Sequence, residues 1–208
     1  ISSIFKNNNL NISNIYCSSY VKTYFYKNNF KNKNKLIFLD IGFKHTTALI
    51  YNKNKLEFFN SVPFGGKSIT EDIAKILKLD FDYSEDLKIK INEDEDELFS
   101  NKNIPDGINP YSTIKEKNIS INLLKQIIEA RLNEIIEIAV IKNYFFKKIN
   151  YSEKLNIIFV GNSSKLILNN YAISSKKNFS KFGHFQETDS IICEAGFYYN
   201  KSEESYLT

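Results

Sequence analysis

The sequence has no Met, no Trp and only two Cys among 208 residues. Because Cys17 and Cys193 stand far apart, we expect neither a disulfide framework nor a cysteine metal site, and a reducing cytosol fits best. The two histidines, His45 and His184, have no partners at ligand spacing. Nothing marks a Ser or Cys partner for His45, which argues against a hydrolase triad, and no catalytic residue is assigned.

Long hydrophobic runs and excess charge are also lacking. No apolar run approaches the roughly 20 residues that span a bilayer, and no signal peptide is visible. The net charge of +4 is small and the lysines are scattered, so no nucleic-acid footprint is expected. With 42% hydrophobic residues the chain should still build a core. Because it begins at Ile1 and has no Met, we expect a fragment whose start lies upstream.

The segment 36–51 is the most informative stretch. An apolar run ends in Asp40, Gly42 follows, and a second apolar run begins at Thr46. This pattern predicts a buried strand, a tight turn and a return strand. A carboxylate and hydroxyls beside such a turn can hold a hydrated metal and bind a phosphate, while the turn amides approach its oxygens. An ordinary hairpin with a solvated turn remains the alternative.

The rest of the chain predicts an α/β fold. Helices are predicted at residues 68–79, 82–91, 119–148, 164–171 and 187–199, the first two opened by capping boxes. Strands are predicted at residues 11–19, 36–41, 46–51, 55–63 and 156–160, whereas residues 20–26 fit either state. Residues 92–118 are mostly polar, which suits a loop or insertion. Strands thus flank a mostly helical insert, which implies two subdomains with a cleft between them.

Three glycine-bearing turns follow apolar runs, at Gly42, at Gly65 and Gly66, and at Gly161. Glycine lets backbone press closely against a ligand and permits positive φ without a steric penalty. Only seven glycines occur in the chain, so their placement at strand ends is informative. Two such turns on different subdomains can hold a nucleotide between them.

Two pairs of charged residues lie three positions apart on predicted helices. Glu85 and Lys88 share one helical face, where the carboxylate can accept from ribose hydroxyls and the ammonium can flank the nucleoside. Alternatively, Glu85 closes a capping box with Asp82 and Lys88 is solvated. Arg131 and Glu134 on the long helix also fit an exposed face with weak pairing.

Taken in order, five segments resemble the bacterial cell-division family FtsA, in the actin-like ATPase superfamily with its ribonuclease H-like fold. Asp40-Ile41-Gly42 with Thr46 resembles the second phosphate motif, Asp-[Ile/Leu]-Gly-Gly-Gly-Thr. Segment 62–74 resembles the next subdomain junction, and Ser84-Glu85-Asp86-Leu87-Lys88 the Ala-Glu-x-Leu-Lys nucleoside signature. Segment 128–135 resembles the family's Ile-x-x-Arg-x-x-Glu-[Ile/Leu] helix. Segment 157–164 occupies the place of the adenosine motif.

The resemblance implies the C-terminal half of an FtsA: a mixed sheet with flanking helices plus an inserted α+β subdomain. Residues 1–64 and 151–208 would form the IIA-like part and residues 65–150 the IIB-like part. It implies ATP with Mg²⁺ as ligands, the metal being held through nucleotide, water and Asp40. The implied nucleotide-binding residues are Asp40, Gly42, Lys44, Thr46, Gly65, Gly66, Glu85, Lys88, Gly161, Asn162 and Ser163.

The resemblance also implies partners. Family members self-associate into filaments and bind the C-terminal tail of the tubulin-like FtsZ, here through Arg131 and Glu134. They act on the cytoplasmic face of the inner membrane at the division site, through a C-terminal amphipathic helix. We expect the present stretch of sequence to lack both that helix and the N-terminal half with the first phosphate loop. Alternatives are another superfamily member (MreB-like, pilus-assembly or Hsp70-type) and a degenerate scaffold that binds no nucleotide.

The chain departs from the family pattern in two turns. Phe43 and Lys44 stand where Gly is usual, and Asn162 and Ser163 replace further glycines. If a turn residue needs positive φ, a residue other than Gly costs about 1–2 kcal/mol. A charge-assisted bond from Lys44 to phosphate would offset that cost. We therefore expect ATP binding to persist while hydrolysis is slow or absent.

Overall fold

The computed structural model describes residues 2–12, 14–30, 35–53, 55–91, 120–144, 146, 155–167, 179–184 and 191–204. The chain forms two compact units, one of residues 1–33 with 188–208 and one of residues 34–187. The elements in chain order are α1 (Ser2–Asn7), α2 (Ser18–Lys27), β1 (Lys35–Ile41), β2 (Thr46–Asn52), β3 (Lys55–Val62), α3 (Gly66–Leu77), α4 (Phe81–Lys90), α5 (Ile121–Ile136), β4 (Leu155–Val160), β5 (Phe179–His184) and α6 (Ile191–Glu204).

The larger unit is built on a mixed five-stranded sheet in the order β3-β2-β1-β4-β5. Strands β1, β2 and β3 form the predicted antiparallel meander. Strand β4 lies parallel to β1, with Asp40 opposite Val160, so segments from both sides of the helical region share one sheet. The parallel edge strand β5 was not predicted. The mixed α/β sheet with flanking helices is confirmed.

One face of this sheet carries the main core of the unit. The core-facing positions of β1 are Ile37, Leu39 and Ile41, which alternate with Phe38 and Asp40 on the opposite face. Burial of the apolar helix faces against these strands contributes about 25 cal/mol per Å² of apolar surface. The helical part of this core is formed by Ile69 and Ile73 of α3, Leu87 of α4, and Leu124, Ile128, Leu132 and Ile135 of α5.

The helix starts differ from the two predicted capping boxes. Helix α3 begins at Gly66 after an N-cap Gly65 that offers no side-chain bond. Helix α4 begins after Asp80, whose carboxylate accepts from the amide of Tyr83 at 2.8 Å. Both predicted capping boxes are therefore wrong, and Glu85 is available for another role.

Three further predictions change in extent or type. The predicted strand at residues 11–19 is wrong: its described residues up to Cys17 are irregular, and α2 begins at Ser18. The long helix ends at Ile136 and continues as one π-helical stretch, Glu137–Ile141, so it is shorter than predicted. The short helix after Gly161 is a 3-10 helix, Asn162–Ile167. The predicted insertion at residues 92–118 lies outside the described residues.

The smaller unit consists of α1, α2 and α6, and aromatic rings join the last two. The Tyr199 ring meets Tyr16, Tyr20 and Tyr24 edge-on, with centroid separations of 5.0, 5.5 and 5.0 Å. This packing explains why the ambiguous segment 20–26 is helical, since its tyrosines recur at helical spacing and face one partner helix. Among the described residues, no helix has the length and apolarity to cross a bilayer.

Candidate functional site

The three glycine turns, separate in sequence, meet at one end of the sheet. The turn after β1 is closed by a hydrogen bond from the Gly42 amide to the His45 carbonyl at 2.9 Å. The first amide of α3, that of Gly66, donates to the Gly42 carbonyl at 2.9 Å. From the turn after β4, the Ser163 hydroxyl donates to the same carbonyl at 3.2 Å. The structure therefore brings together three segments that the sequence analysis assigned to one site.

The glycines are required because these turns press against one another. Gly161 has a φ of +89°, and a β-carbon there would lie 2.6 Å from the Asp40 Oδ1 atom. A β-carbon on Gly65 would overlap the carbonyl oxygen of Gly42, and one on Gly66 would overlap the Ser163 hydroxyl. We expected the glycines to let the backbone approach a ligand closely. In the structure they let the three loops approach one another.

The turn between β1 and β2 contains three exposed residues in succession. The N–H groups of Phe43, Lys44 and His45 donate to no other group in the described part of the chain. Consecutive free amides in a tight turn form a concavity that favours anions. By contrast, the first two amides of α3 are used: Gly66 and Lys67 donate to carbonyls of this same turn. An anion would therefore be bound by the turn rather than by the helix start.

The residues that replace glycine in these turns adopt ordinary backbone angles. Among the described residues, positive φ outside glycine occurs only at Asn9, Lys53 and Lys78. Phe43, Lys44, Asn162 and Ser163 are thus unstrained, and the expected penalty for losing glycine does not arise.

Asp40 and Thr46 lie on opposite faces of the sheet. Asp40 is paired with Thr47 across the strands, and Thr46 with Ile41, whose side chain belongs to the core. Thr46 is fully buried, and its hydroxyl has no hydrogen-bond partner among the described residues. The hydroxyl on the face of Asp40 is that of Thr47, which is bonded to Ser61 at 3.2 Å. The sequence places the hydroxyls of both Thr46 and Thr47 beside the turn, and only Thr46 is predicted to bind nucleotide. The two-residue period of a strand would instead have selected Thr47.

Lys88 lies buried at the centre of a polar network between α3 and α4. Its ammonium group donates to the Gly66 carbonyl at 3.0 Å, the Thr70 hydroxyl at 2.8 Å and Glu85 Oε2 at 2.7 Å. Thr70 also donates to Glu85 Oε2. The alternative of a solvated Lys88 is wrong, since the residue is only 4% exposed. Thr70 joins the network without any sequence signal that identified it.

Burial lowers the pKa of Lys88 because the charged ammonium is desolvated, and the hydrogen bond and charge of Glu85 oppose that effect. The Phe43 ring lies near the same ammonium, with its centroid 5.6 Å from Nζ. The turn between β1 and β2 is thus a neighbour of the Glu85–Lys88 pair, because the Lys88 ammonium lies near the Phe43 ring and donates to the Gly66 carbonyl.

Arg131 and Glu134, assigned to partner binding, lie elsewhere on α5. The Arg131 guanidinium forms a two-pronged ion pair with Asp72 of α3, with its Nη2 atom 2.8 Å from the Asp72 Oδ1 atom, and its Nη1 atom binds Glu134 at 2.7 Å. The hydrogen bond and charge of Asp72 raise the pKa of Arg131. Arg131 thus joins two helices, and its role toward a partner stays a prediction.

Metal binding by protein groups alone has no support in the described residues, which contain no cluster of three or more His, Cys, Asp or Glu side chains. Mg²⁺ keeps several waters and commonly uses one or two carboxylates together with substrate phosphates. Asp40 beside the amide-lined turn fits that donor set, and it would supply the carboxylate.

Comparison with known proteins gives one family match. The family described as cell division protein FtsA matches residues 37–184, most of the chain and all of the sheet except its first two residues. No curated protein sequence matches the chain.

Solved structures match at the level of the fold. MreB5 of Spiroplasma citri bound to AMPPNP is 13% identical with a TM-score of 0.59, the match covering 99% of this chain and 64% of that one. The same protein bound to ADP has a TM-score of 0.57 at 13% identity, covering 99% and 65%. A PilM–PilN type IV pilus biogenesis complex is 17% identical with a TM-score of 0.50, covering 91% and 46%. The chain thus spans less than two thirds of each of these proteins.

Proposed function

The chain belongs to the FtsA cell-division protein family and has an actin-like fold, and we propose that it is an ATP-binding adaptor of the bacterial division ring. The observation that best supports this proposal is that the turns at Gly42, Gly66 and Gly161 contact one another and lie beside the Glu85–Lys88 network. Turns that converge at the carboxyl ends of adjacent strands are where α/β sheets bind ligands.

Each part of the site has a proposed role. The amides of Phe43, Lys44 and His45 would bind phosphate oxygens, with the Lys44 ammonium adding charge. Asp40 would orient the water shell of Mg²⁺, and the metal would neutralise phosphate charge. Glu85 would accept from the ribose, and segment 161–163 would form the opposite wall. Thr46 is the weakest member, since its hydroxyl is buried on the other face of β2.

The subdomain division at residues 65 and 150 belongs to the same proposal. Helices α3, α4 and α5 would form the IIB-like part around which the IIA-like sheet is split. ATP bound between them would set their relative angle and thereby favour self-association. Two matched structures hold AMPPNP and ADP in MreB5, which supports nucleotide as the ligand class for the fold.

Calorimetric titration of the full-length protein with ATP tests this function. We expect binding with Mg²⁺ and weaker binding when EDTA removes the metal, while hydrolysis stays slow or absent. A flat trace with Mg²⁺ at high ATP concentration would instead support a scaffold that binds no nucleotide.

The division-ring role needs a separate experiment. We propose that the IIB-like part binds the FtsZ tail and that a membrane helix elsewhere in the full-length protein links the ring to the inner membrane. A tail peptide should be retained by the immobilised full-length protein, and a scrambled peptide of the same composition should not. Nucleotide-dependent filaments without tail binding would favour the MreB-like alternative.

A further inference from the structure

The two carboxylate oxygens of Glu85 have different surroundings. Oε2 accepts from the Thr70 hydroxyl and from the Lys88 ammonium, the latter at 2.7 Å. Oε1 accepts from no described residue, and the side chain is 24% exposed. An ionised carboxylate has two accepting oxygens and no donor. Glu85 therefore keeps one oxygen with open acceptor capacity on a side chain that is partly exposed.

Lys88 has no hydrogen-bond capacity left for a ligand. An ammonium has three donors, and the acceptors here are also three: the Gly66 carbonyl, the Thr70 hydroxyl and Glu85. The residue is buried, so a nucleotide would have to break an existing bond to reach it. A direct nucleoside contact from Lys88 is thus not favoured by this geometry.

Thr70 links the two members of the pair. Its fully buried hydroxyl accepts from Lys88, and its single proton can go to the Gly66 carbonyl at 3.1 Å or to Glu85 Oε2. The carboxylate is the stronger acceptor because its bond is charge-assisted. Thr70 and Lys88 therefore both act on Oε2 and fix how the carboxylate is turned.

We propose that Thr70 and Lys88 are positioning residues that hold Glu85 Oε2, so that Oε1 accepts a hydrogen bond from a ribose hydroxyl. The inference rests on the proposed function, in which Glu85 accepts from the ribose, and it adds the two residues that position Glu85. A carboxylate discriminates a hydroxyl from a hydrogen atom because loss of the donor leaves a desolvated acceptor unpaired.

The test is a set of calorimetric titrations of the full-length protein with ATP, 2′-deoxy-ATP and 3′-deoxy-ATP in the presence of Mg²⁺. In the wild type, at least one deoxy analogue should bind about 10-fold more weakly than ATP or worse. Thr70→Val, which keeps the volume and removes the hydroxyl, should weaken ATP binding about 5-fold or more and shrink that discrimination. Thr70→Ser keeps the hydroxyl and should retain the discrimination between ATP and the deoxy analogue.

The outcomes separate this inference from the proposed function. If the wild type binds ATP and both deoxy analogues equally, the inference is overturned and nucleotide binding stands. The inference is also overturned if Thr70→Val weakens all three nucleotides by the same factor, as a merely structural defect would. If the wild type binds no nucleotide, both fail. Should Thr70→Val not fold, Lys88→Met takes its place, with the same loss of discrimination expected.

Discussion

Gly65 packs so closely against the carbonyl oxygen of Gly42 that a β-carbon would overlap it, and the carbonyl oxygen of Phe43 would lie 2.8 Å away. Both neighbours are backbone atoms, which cannot rotate out of the way as a side chain can. The contact joins the start of α3 to the turn after β1, two walls of the candidate site.

Gly65→Ala should therefore destabilise the protein by about 1–3 kcal/mol through overpacking, and it should also weaken ATP binding. Urea denaturation measures the free energy of unfolding. Gly196→Ala is the matched control: nothing lies within 4 Å of its added β-carbon inside α6. That variant should be neutral or more stable by about 0.5–1 kcal/mol. Equal effects of the two substitutions would contradict the packing argument.

Asp40→Asn should weaken Mg²⁺-dependent ATP binding about 10-fold or more, because the amide cannot replace a charged group facing hydrated metal. The fold should persist, and thermal melting checks it. Asp86→Asn makes the same charge change at an exposed position of α4 and should leave affinity unchanged. A collapsed melting transition with unchanged affinity would make Asp40 structural.

Arg131→Ala should destabilise the protein by about 1–3 kcal/mol, since the half-buried Asp72 carboxylate would lose both of its bonds. Arg131→Lys keeps the charge but loses the two-pronged geometry, so it should recover only part of the loss. The comparison variant is Lys142→Ala, which removes an exposed pair with a 3.6 Å separation and should cost about 0.5 kcal/mol or less. An Arg131 variant as stable as wild type in urea would exclude the helix-joining role.

The pH dependence of stability should carry a contribution from Lys88. Burial lowers its pKa in the folded protein below the ordinary 10.5, so the unfolded chain holds that proton to higher pH. The free energy of unfolding therefore gains a contribution that rises with pH between the folded pKa and 10.5.

Urea denaturation at several pH values up to about pH 10 measures this contribution. The free energy of unfolding of the wild type should rise with pH relative to that of Lys88→Met. Lys67→Met, on an exposed α3 residue paired with Glu71, serves as the control and should show no such trend. A difference that falls with pH would mean that the ion pair with Glu85 outweighs burial.

Much of the sheet was predictable because its signals are local. The apolar runs that end at Asp40 and Val160 are typical of buried strands. The short turn at Gly42 requires the next strand to run antiparallel to β1. The edge strand β5 lacked such a signal, since its residues 179–184 mix polar and apolar types without a period of two. The start of α3 was misplaced because its first amides donate to the carbonyls of Gly42 and Phe43, a cap supplied by another segment.

The amino-acid order alone identifies the carboxylate of Asp40, the glycines that follow the strands at Gly42, Gly66 and Gly161, and the helical pair Glu85 and Lys88. These follow from order and spacing along the chain. Folding establishes three further relations: the three turns touch, Thr70, Glu85 and the Gly66 carbonyl take all the hydrogen bonds of Lys88, and Thr46 faces away from Asp40. Such relations depend on which segments pack together, and hydrogen-bond capacity can be counted only after folding has brought every acceptor into place.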